Sequence, residues 1–286
     1  MLGSPRSGST WLLRLLDRSG GVVPINEPHI GVHLAPFAPN LLGLRAVNLP
    51  SEQWLFTTML ADIPEYFFSK RYEEKWRPQA RRLIIDRLRS ETRAKARMAR
   101  IRRPVTVVKE PNGSQAAGMI VSLLPRSRLI FLLRDGRDVV SSEVDLAEKG
   151  KWLQQWGYEG RELPDRLAFV EHQAHTWRFR TEIVQGAYDA LPPEQRILIR
   201  YEELRARPGE VLGELLRWLG IEVSAAQLEA TIEAESFEKA PAEARGSGQF
   251  MRKASPGSWR EGLTEEERSV MERVMGETLR RHGYPE

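Results

Sequence analysis

Apolar and polar positions along this chain alternate between two rhythms. Short, nearly continuous apolar runs occur at Val22-Val-Pro-Ile25, Val105-Thr-Val-Val108, Arg128-Leu-Ile-Phe-Leu-Leu133 and Arg196-Ile-Leu-Ile-Arg-Tyr201. Runs of that length, rich in β-branched residues, predict strands buried on both faces. Between them lie stretches with helical spacing, predicted over residues 10–19, 70–100, 113–124, 138–148, 164–190, 208–219 and 264–282. Within the second of these, Leu83-Ile-Ile-Asp-Arg-Leu88 reads as a buried turn. Residues 30–68 are rich in Pro, Leu and aromatics without clear period, which suits loops and short helices over a pocket. No repeat, low-complexity tract or Gly/Ser linker divides the chain, so one domain over 1–286 is expected. Strands alternating with helices make the expected fold α/β, a central parallel sheet flanked by helices.

Sheets of that kind bind ligands at the carboxyl ends of their strands. Arg6, Glu27, Lys109, Arg134 and Tyr201 all fall at or just after such ends, and they are expected to share one crevice. The first of them lies in the most informative segment, Gly3-Ser-Pro-Arg-Ser-Gly-Ser-Thr-Trp11. An apolar start runs into a Gly/Ser/Pro turn and then an amphipathic helix, which aims backbone N–H groups and the positive end of a helix dipole at an anion. Gly3 and Gly8 stand at the spacing of a Walker A loop, but Ser9 and Thr10 follow where Lys and Ser/Thr are required. The missing lysine tells against an ordinary ATP or GTP hydrolase. The strand feeding such a loop usually needs about five residues, and only Met1 to Gly3 precede it here.

Composition narrows the chemistry. The chain has 286 residues, 41% hydrophobic and 29% charged, as in a globular protein. It contains no cysteine, which excludes disulfides, thiolate metal sites and a cysteine nucleophile. No segment reads as a signal peptide or membrane span, and a cytoplasmic location is expected. The net charge of +4 is uneven: residues 70–103 hold 14 Lys/Arg against 4 Asp/Glu. That stretch reads either as a solvated helix face or as a basic rim for an anionic acceptor, a lipid surface or an anionic donor. It has no nucleic-acid-binding motif. His29/His33 and His172/His175 have helical spacing but no accompanying carboxylate motif, so they read as surface histidines rather than metal ligands.

The loop Pro5-Arg-Ser-Gly-Ser-Thr-Trp11 resembles the 5′-phosphosulfate loop of sulfotransferases that use 3′-phosphoadenosine 5′-phosphosulfate (PAPS). Arg128-Leu-Ile-Phe-Leu-Leu-Arg-Asp-Gly-Arg-Asp-Val-Val-Ser-Ser142 is similar to that family's 3′-phosphate motif. The resemblance implies that Arg134 and Ser142 grip the 3′-phosphate, a forked guanidinium and a neutral hydroxyl on one anion. Read by itself, the same stretch could be a polar strand-to-helix turn with Asp138 as N-cap. Phe250-Met-Arg-Lys-Ala-Ser-Pro-Gly-Ser-Trp-Arg260 is similar to the late cofactor loop of the cytosolic branch, F-M-R-K-G-x-x-G-D-W-K. Phe250, Arg252 and Lys253 are thereby implied at the cofactor, although Ala254 and Ser258 depart from the pattern at its Gly and Asp. Trp11, Tyr201 and Phe237 match positions that contact the adenosine, with ordinary core packing as the alternative for Tyr201 and Phe237. The resemblance runs from residue 1 to about residue 260.

The base is less uniform across such proteins. The cytosolic branch carries K-x-H at the second strand, whereas this chain has Lys109-Glu-Pro111. In this it looks more like the tyrosylprotein and carbohydrate branches, which place a glutamate shortly after the first helix. Glu27, in Asn26-Glu-Pro-His29, occupies that place and is the implied general base, with His29 as rival and Glu110 third. The implied reaction moves a sulfuryl group from PAPS to an acceptor hydroxyl, releasing adenosine 3′,5′-bisphosphate. Arg6, Ser7, Gly8, Ser9, Thr10 and Trp11 would bind the phosphosulfate, with Arg6 and Lys109 absorbing charge. Fixed cations then stand where Mg²⁺ stands in kinases, so no metal is implied. The competing readings are a kinase-like phosphotransferase and a non-catalytic nucleotide-binding module. The acceptor is expected to be a small molecule, lipid or glycan, not nucleic acid, with peripheral membrane contact through 70–103 as one reading; the oligomeric state stays open.

Overall fold

Two pairs of short parallel strands carry the architecture. β1 (Val22–Asn26) pairs with β2 (Val105–Lys109), Val22 opposite Val105 and Asn26 opposite Lys109. β3 (Leu129–Leu133) pairs with β4 (Arg196–Arg200), Leu129 opposite Arg196 and Leu133 opposite Arg200. The computed structural model describes residues 1–34, 64–65, 69–149, 165–239, 246 and 255–285.

The first residues of the chain join the two pairs. The Met1 amine donates to Val108 O at 2.6 Å, and Glu110 N donates to Met1 O at 2.9 Å. On the other side Leu2 N donates to Ile130 O and Leu132 N to Leu2 O, both at 2.9 Å. Met1–Leu2 therefore fills the place between β2 and β3. Gly3 makes this close approach feasible. Its φ is 151°, and a Cβ there would lie 2.1 Å from Leu132 O.

All five residues of β3 are buried, and their alternation feeds two cores. Leu129, Phe131 and Leu133 pack with Val140, Trp177 and Met271 on one face. Ile130 and Leu132 pack with Leu12, Leu16, Val107 and Leu216 on the other. Helices α1 (Ser9–Arg18) and α8 (Pro208–Leu219) cover the second face. Helices α5 (Gly136–Lys149), α6 (Arg166–Asp189) and α11 (Glu265–Arg281) cover the first. The expected fold, a parallel sheet with helices on both faces, is what forms. Caps set several boundaries: Asp165 accepts from Ala168 N, and Thr264 forms a reciprocal capping box with Glu267. The remaining helices are α2 (Ile30–Leu34), α3 (Glu73–Met98), α4 (Ala117–Leu123), α7 (Tyr201–Ala206), α9 (Ala225–Ala234) and α10 (Trp259–Gly262). Helix α9 has no counterpart among the predicted elements, though Ser224 caps it by accepting from Gln227 N.

Two expectations and one alternative reading need correction. Leu83–Leu88 is not a buried turn: only Ala96 of α3 is buried, and Leu83 is 72% exposed. The helix meets the body through Ile84, partly buried against Leu34, Ala116 and Leu123, and through polar contacts, where Lys95 Nζ donates to Pro24 O and the Thr92 and Thr106 hydroxyls bond at 2.8 Å. Asp138 is not an N-cap either. α5 starts at Gly136, and the fully buried Asp138 carboxylate accepts from Gly257 N at 2.8 Å and Trp259 N at 3.1 Å. His172 and His175 are half-buried rather than surface residues, and burial lowers the pKa of both.

Candidate active site

The loop after Gly3 is bent by two residues with positive φ, Arg6 at 63° and Gly8 at 84°. Gly8 passes directly under the Tyr201 ring; a Cβ on it would sit 2.5 Å from a ring carbon. A glycine is required here by both conformation and space. The chain then enters α1, whose first N–H groups have no partners within the helix and face the loop. Strand-to-helix geometry of this kind turns backbone N–H groups toward the loop, an arrangement suited to an anion.

Side chains from distant segments close on this loop. Arg6 Nε donates to Ser142 Oγ at 3.0 Å, and Arg134 Nη1 donates to Arg6 O at 2.8 Å. The Arg134 guanidinium lies 4.4 Å from the Tyr201 ring centroid and 3.9 Å from Asp138. Among the described residues, two buried polar atoms here, Ser7 Oγ and Arg134 Nε, have no hydrogen-bond partner. Burying such groups is costly unless something satisfies them. An anion seated on the loop would do so, and the donors present suit a phosphate or sulfate. Glu143 follows Ser142 on α5; burial pushes its carboxyl pKa up, against the opposing charges of Arg6 and Arg180.

Lys109, at the end of β2, is 97% buried and serves three acceptors. Its Nζ donates to Thr10 Oγ1 at 2.8 Å, Asn26 Oδ1 at 2.9 Å and Glu27 Oε1 at 2.6 Å. Glu27 Oε2 accepts from Asn112 Nδ2 at 2.9 Å, and Glu27 N donates to Lys109 O at 2.8 Å. Both carboxylate oxygens are therefore oriented, while a quarter of the side chain stays open to solvent. The backbone of Glu27 is left-handed, φ 47°, which marks a position held by its surroundings. His29 is also left-handed, φ 58°, and exposed; among the described residues its ring has no hydrogen-bond partner. Glu110 points elsewhere. It is buried, its Oε2 accepts from Ile30 N at 3.1 Å, and burial raises its pKa. That carboxyl holds the start of α2.

An aromatic wall adjoins the loop. Trp11 and Tyr201 meet edge to face at 6.2 Å, and Trp11 Nε1 donates to Glu235 O at 2.8 Å. Glu235 leads into a 3-10 turn, Phe237–Lys239, so the backbone of Phe237 lies near Trp11. Phe250, Arg252 and Lys253 lie outside the described residues, as do residues 35–63 and 66–68. The segment that follows Lys253 is nevertheless anchored, since Gly257 and Trp259 are bonded to Asp138, four residues from both Arg134 and Ser142.

Arg6, Glu27, Lys109, Arg134 and Tyr201 thus meet along one sheet edge, as their strand-end positions implied. Two participants were not singled out from sequence. Asn112 lies three residues past Lys109, within reach of the strand-end rule. Arg205 follows Tyr201 by one helical turn, and its guanidinium stands 5.2 Å from the Trp11 ring.

A family model described as the sulfotransferase family matches residues 1–225. The fold is similar to that of a mouse sulfotransferase, SULT7A1, complexed with PAP, at TM-score 0.55 and 13% identity over 98% of this chain and 83% of that one. Sulfotransferase STF9 from Mycobacterium avium gives TM-score 0.53 and 16% identity, covering 99% of this chain and 76% of that one. The sulfotransferase domain of the curacin biosynthetic pathway gives 0.52 and 18%, covering 97% and 95%. Among curated proteins, no sequence match is found.

Proposed function

This chain belongs to the sulfotransferase family, and from that premise we propose that it transfers the sulfuryl group of PAPS to an acceptor hydroxyl, with Glu27 as general base. The observation that carries the reading is the Lys109 ammonium, which bonds at once to Thr10 of the anion loop and to Glu27. One buried cation thereby ties the place for the donor to the place for the base. When bound, PAPS supplies a sulfuryl group whose sulfur–oxygen bond to phosphate breaks as the acceptor oxygen bonds to sulfur. Arg6, Ser7 and the α1 amides would hold the phosphosulfate. Arg134 and Ser142, with Arg252 and Lys253 from the late loop, would hold the 3′-phosphate. Trp11, Tyr201 and Phe237 would border the adenosine. Glu27 takes the hydroxyl proton at the carboxylate oxygen that Asn112 releases, while Oε1 stays on Lys109. Fixed cations supply the positive charge, so catalysis is positioning and electrostatics. The acceptor is a small molecule, lipid or glycan bearing a hydroxyl.

Calorimetry separates this from a kinase-like reading. Adenosine 3′,5′-bisphosphate is expected to bind without metal and at least about tenfold more tightly than ADP, reflecting added charge-assisted bonds. Equal affinity for ADP, or an absolute need for Mg²⁺, would sink the proposal. Transfer of label from ³⁵S-PAPS across a panel of hydroxylated acceptors then distinguishes an enzyme from a binding module.

Arg134→Ala tests the 3′-phosphate assignment. Losing a guanidinium at a charged ligand group typically costs about 2 kcal/mol or more, so bisphosphate affinity is expected to fall roughly thirtyfold. The 3′-dephosphorylated nucleotide is expected to lose much less. Equal losses for both would remove Arg134 from that role.

A further inference from the structure

The basic stretch 70–103 is a prominent feature that the site leaves unused. Its helix α3 fastens to β1 and β2 through Lys95 and Thr92, and the opposite side faces solvent. Arg93 and Arg97, one turn apart, form a basic stripe on that outer side, whereas Arg89, a turn earlier, lies rotated toward the groove beside Thr106 and Leu124. Arg100, Arg102 and Arg103 extend the charge past its end. All six are exposed, and among the described residues none of their side chains has a hydrogen-bonding or ionic partner.

Beside that stripe stand two bare aliphatic side chains, Leu83 at 72% and Met98 at 85% exposure. Fifteen residues apart on one helix, they lie within about 60° of each other around the axis and about 22 Å apart along it. Tyr72, 44% exposed at the head of α3, completes the set of exposed large hydrophobics among the described residues. All three fall in the most basic stretch of the chain. A soluble polyanion would reward the arginines but offer nothing to Leu83 and Met98. An anionic bilayer rewards both, because its headgroups take the guanidinium stripe while the aliphatic chains enter the boundary with the acyl region.

We propose that the outer face of α3 is a docking surface for an anionic phospholipid membrane, with Arg93 and Arg97 as its electrostatic part and Leu83 and Met98 as its apolar anchors. Contact of this kind is peripheral; among the described residues no helix is long and apolar enough to cross a membrane. The surface lies on the flank of β1, the strand that leads into Glu27.

Sedimentation of the full chain with vesicles tests this without reference to catalysis. Binding is expected to vesicles of phosphatidylcholine mixed with phosphatidylserine, not to phosphatidylcholine alone, and high salt is expected to abolish it. Arg93→Gln/Arg97→Gln is expected to lower partitioning on the order of thirtyfold. Leu83→Ser/Met98→Ser is expected to lower it about tenfold with every charge retained. Melting temperatures are expected to stay at the wild-type value, since the substituted side chains are exposed. Failure to bind anionic vesicles, or equal binding to neutral ones, would overturn the proposal. So would an unaffected Leu83→Ser/Met98→Ser variant, which would point to a soluble polyanion such as a glycan or nucleic acid.

Discussion

Glu27→Gln is expected to lower turnover by roughly 10²–10⁴-fold, the usual loss when a general base is removed, while nucleotide affinity barely changes. The site makes this substitution clean. The amide oxygen can still accept from Lys109 Nζ, now 2.6 Å from Oε1. The amide nitrogen would face Asn112, now 2.9 Å from Oε2, and a turn of the Asn112 amide presents its oxygen as acceptor. Shape and hydrogen bonds survive; the capacity to take a proton does not. His29→Gln is the matched control, because His29 is two residues away and exposed. A Glu27 variant of near-normal turnover beside an inactive His29 variant would hand the role to His29. Activity in both would place the base elsewhere.

Lys109→Met is expected to damage both chemistry and stability. Methionine keeps much of the volume, but Thr10, Asn26 and Glu27 each lose a donor. Removing one donor that stabilises developing negative charge typically costs about 10²–10³-fold in turnover. The unfolding free energy is expected to fall by about 1–3 kcal/mol. The loss stays below that of a fully buried ion pair because Glu27, one-quarter exposed, can rehydrate. Combining Lys109→Met with Glu27→Gln separates the two effects. The uncompensated carboxylate is gone, so thermal stability is expected to recover in part while turnover stays low. Turnover near wild type in Lys109→Met would exclude the ammonium from the reaction.

Neither expectation needed the whole structure to be framed. Lys109 and Glu27 are visible in sequence as residues just past apolar strand runs. What could not be read is that one ammonium binds Thr10 and Glu27 together, across 99 and 82 residues of sequence. The same holds for Arg6 and Ser142, 136 residues apart. Sequence similarity brought those two to the same ligand, through different motifs, without showing that they touch. Asn112 was missed because its place past a strand end does not single out one residue among Glu110, Pro111 and Asn112; its meaning comes from the carboxylate opposite. The N-cap alternative for Asp138 fails for a related reason. An acidic residue near a helix start looks like a cap until the segment at 257–259 arrives to use it.

Sequence by itself determined the alternation of strand and helix, the bend at Gly3 and Gly8, and the edge on which Arg6, Glu27, Lys109, Arg134 and Tyr201 would gather. Those features depend on local periods, local backbone freedom and the polarity of a parallel sheet, all of which a linear pattern carries. Only the tertiary structure decided that Met1–Leu2 joins two strand pairs into one sheet, that Leu83 faces water, and which donor meets which acceptor at the loop. Pairing and exposure depend on what the folded chain sets opposite each residue. In this protein those partners come from segments more than 80 residues away, beyond the reach of any local pattern.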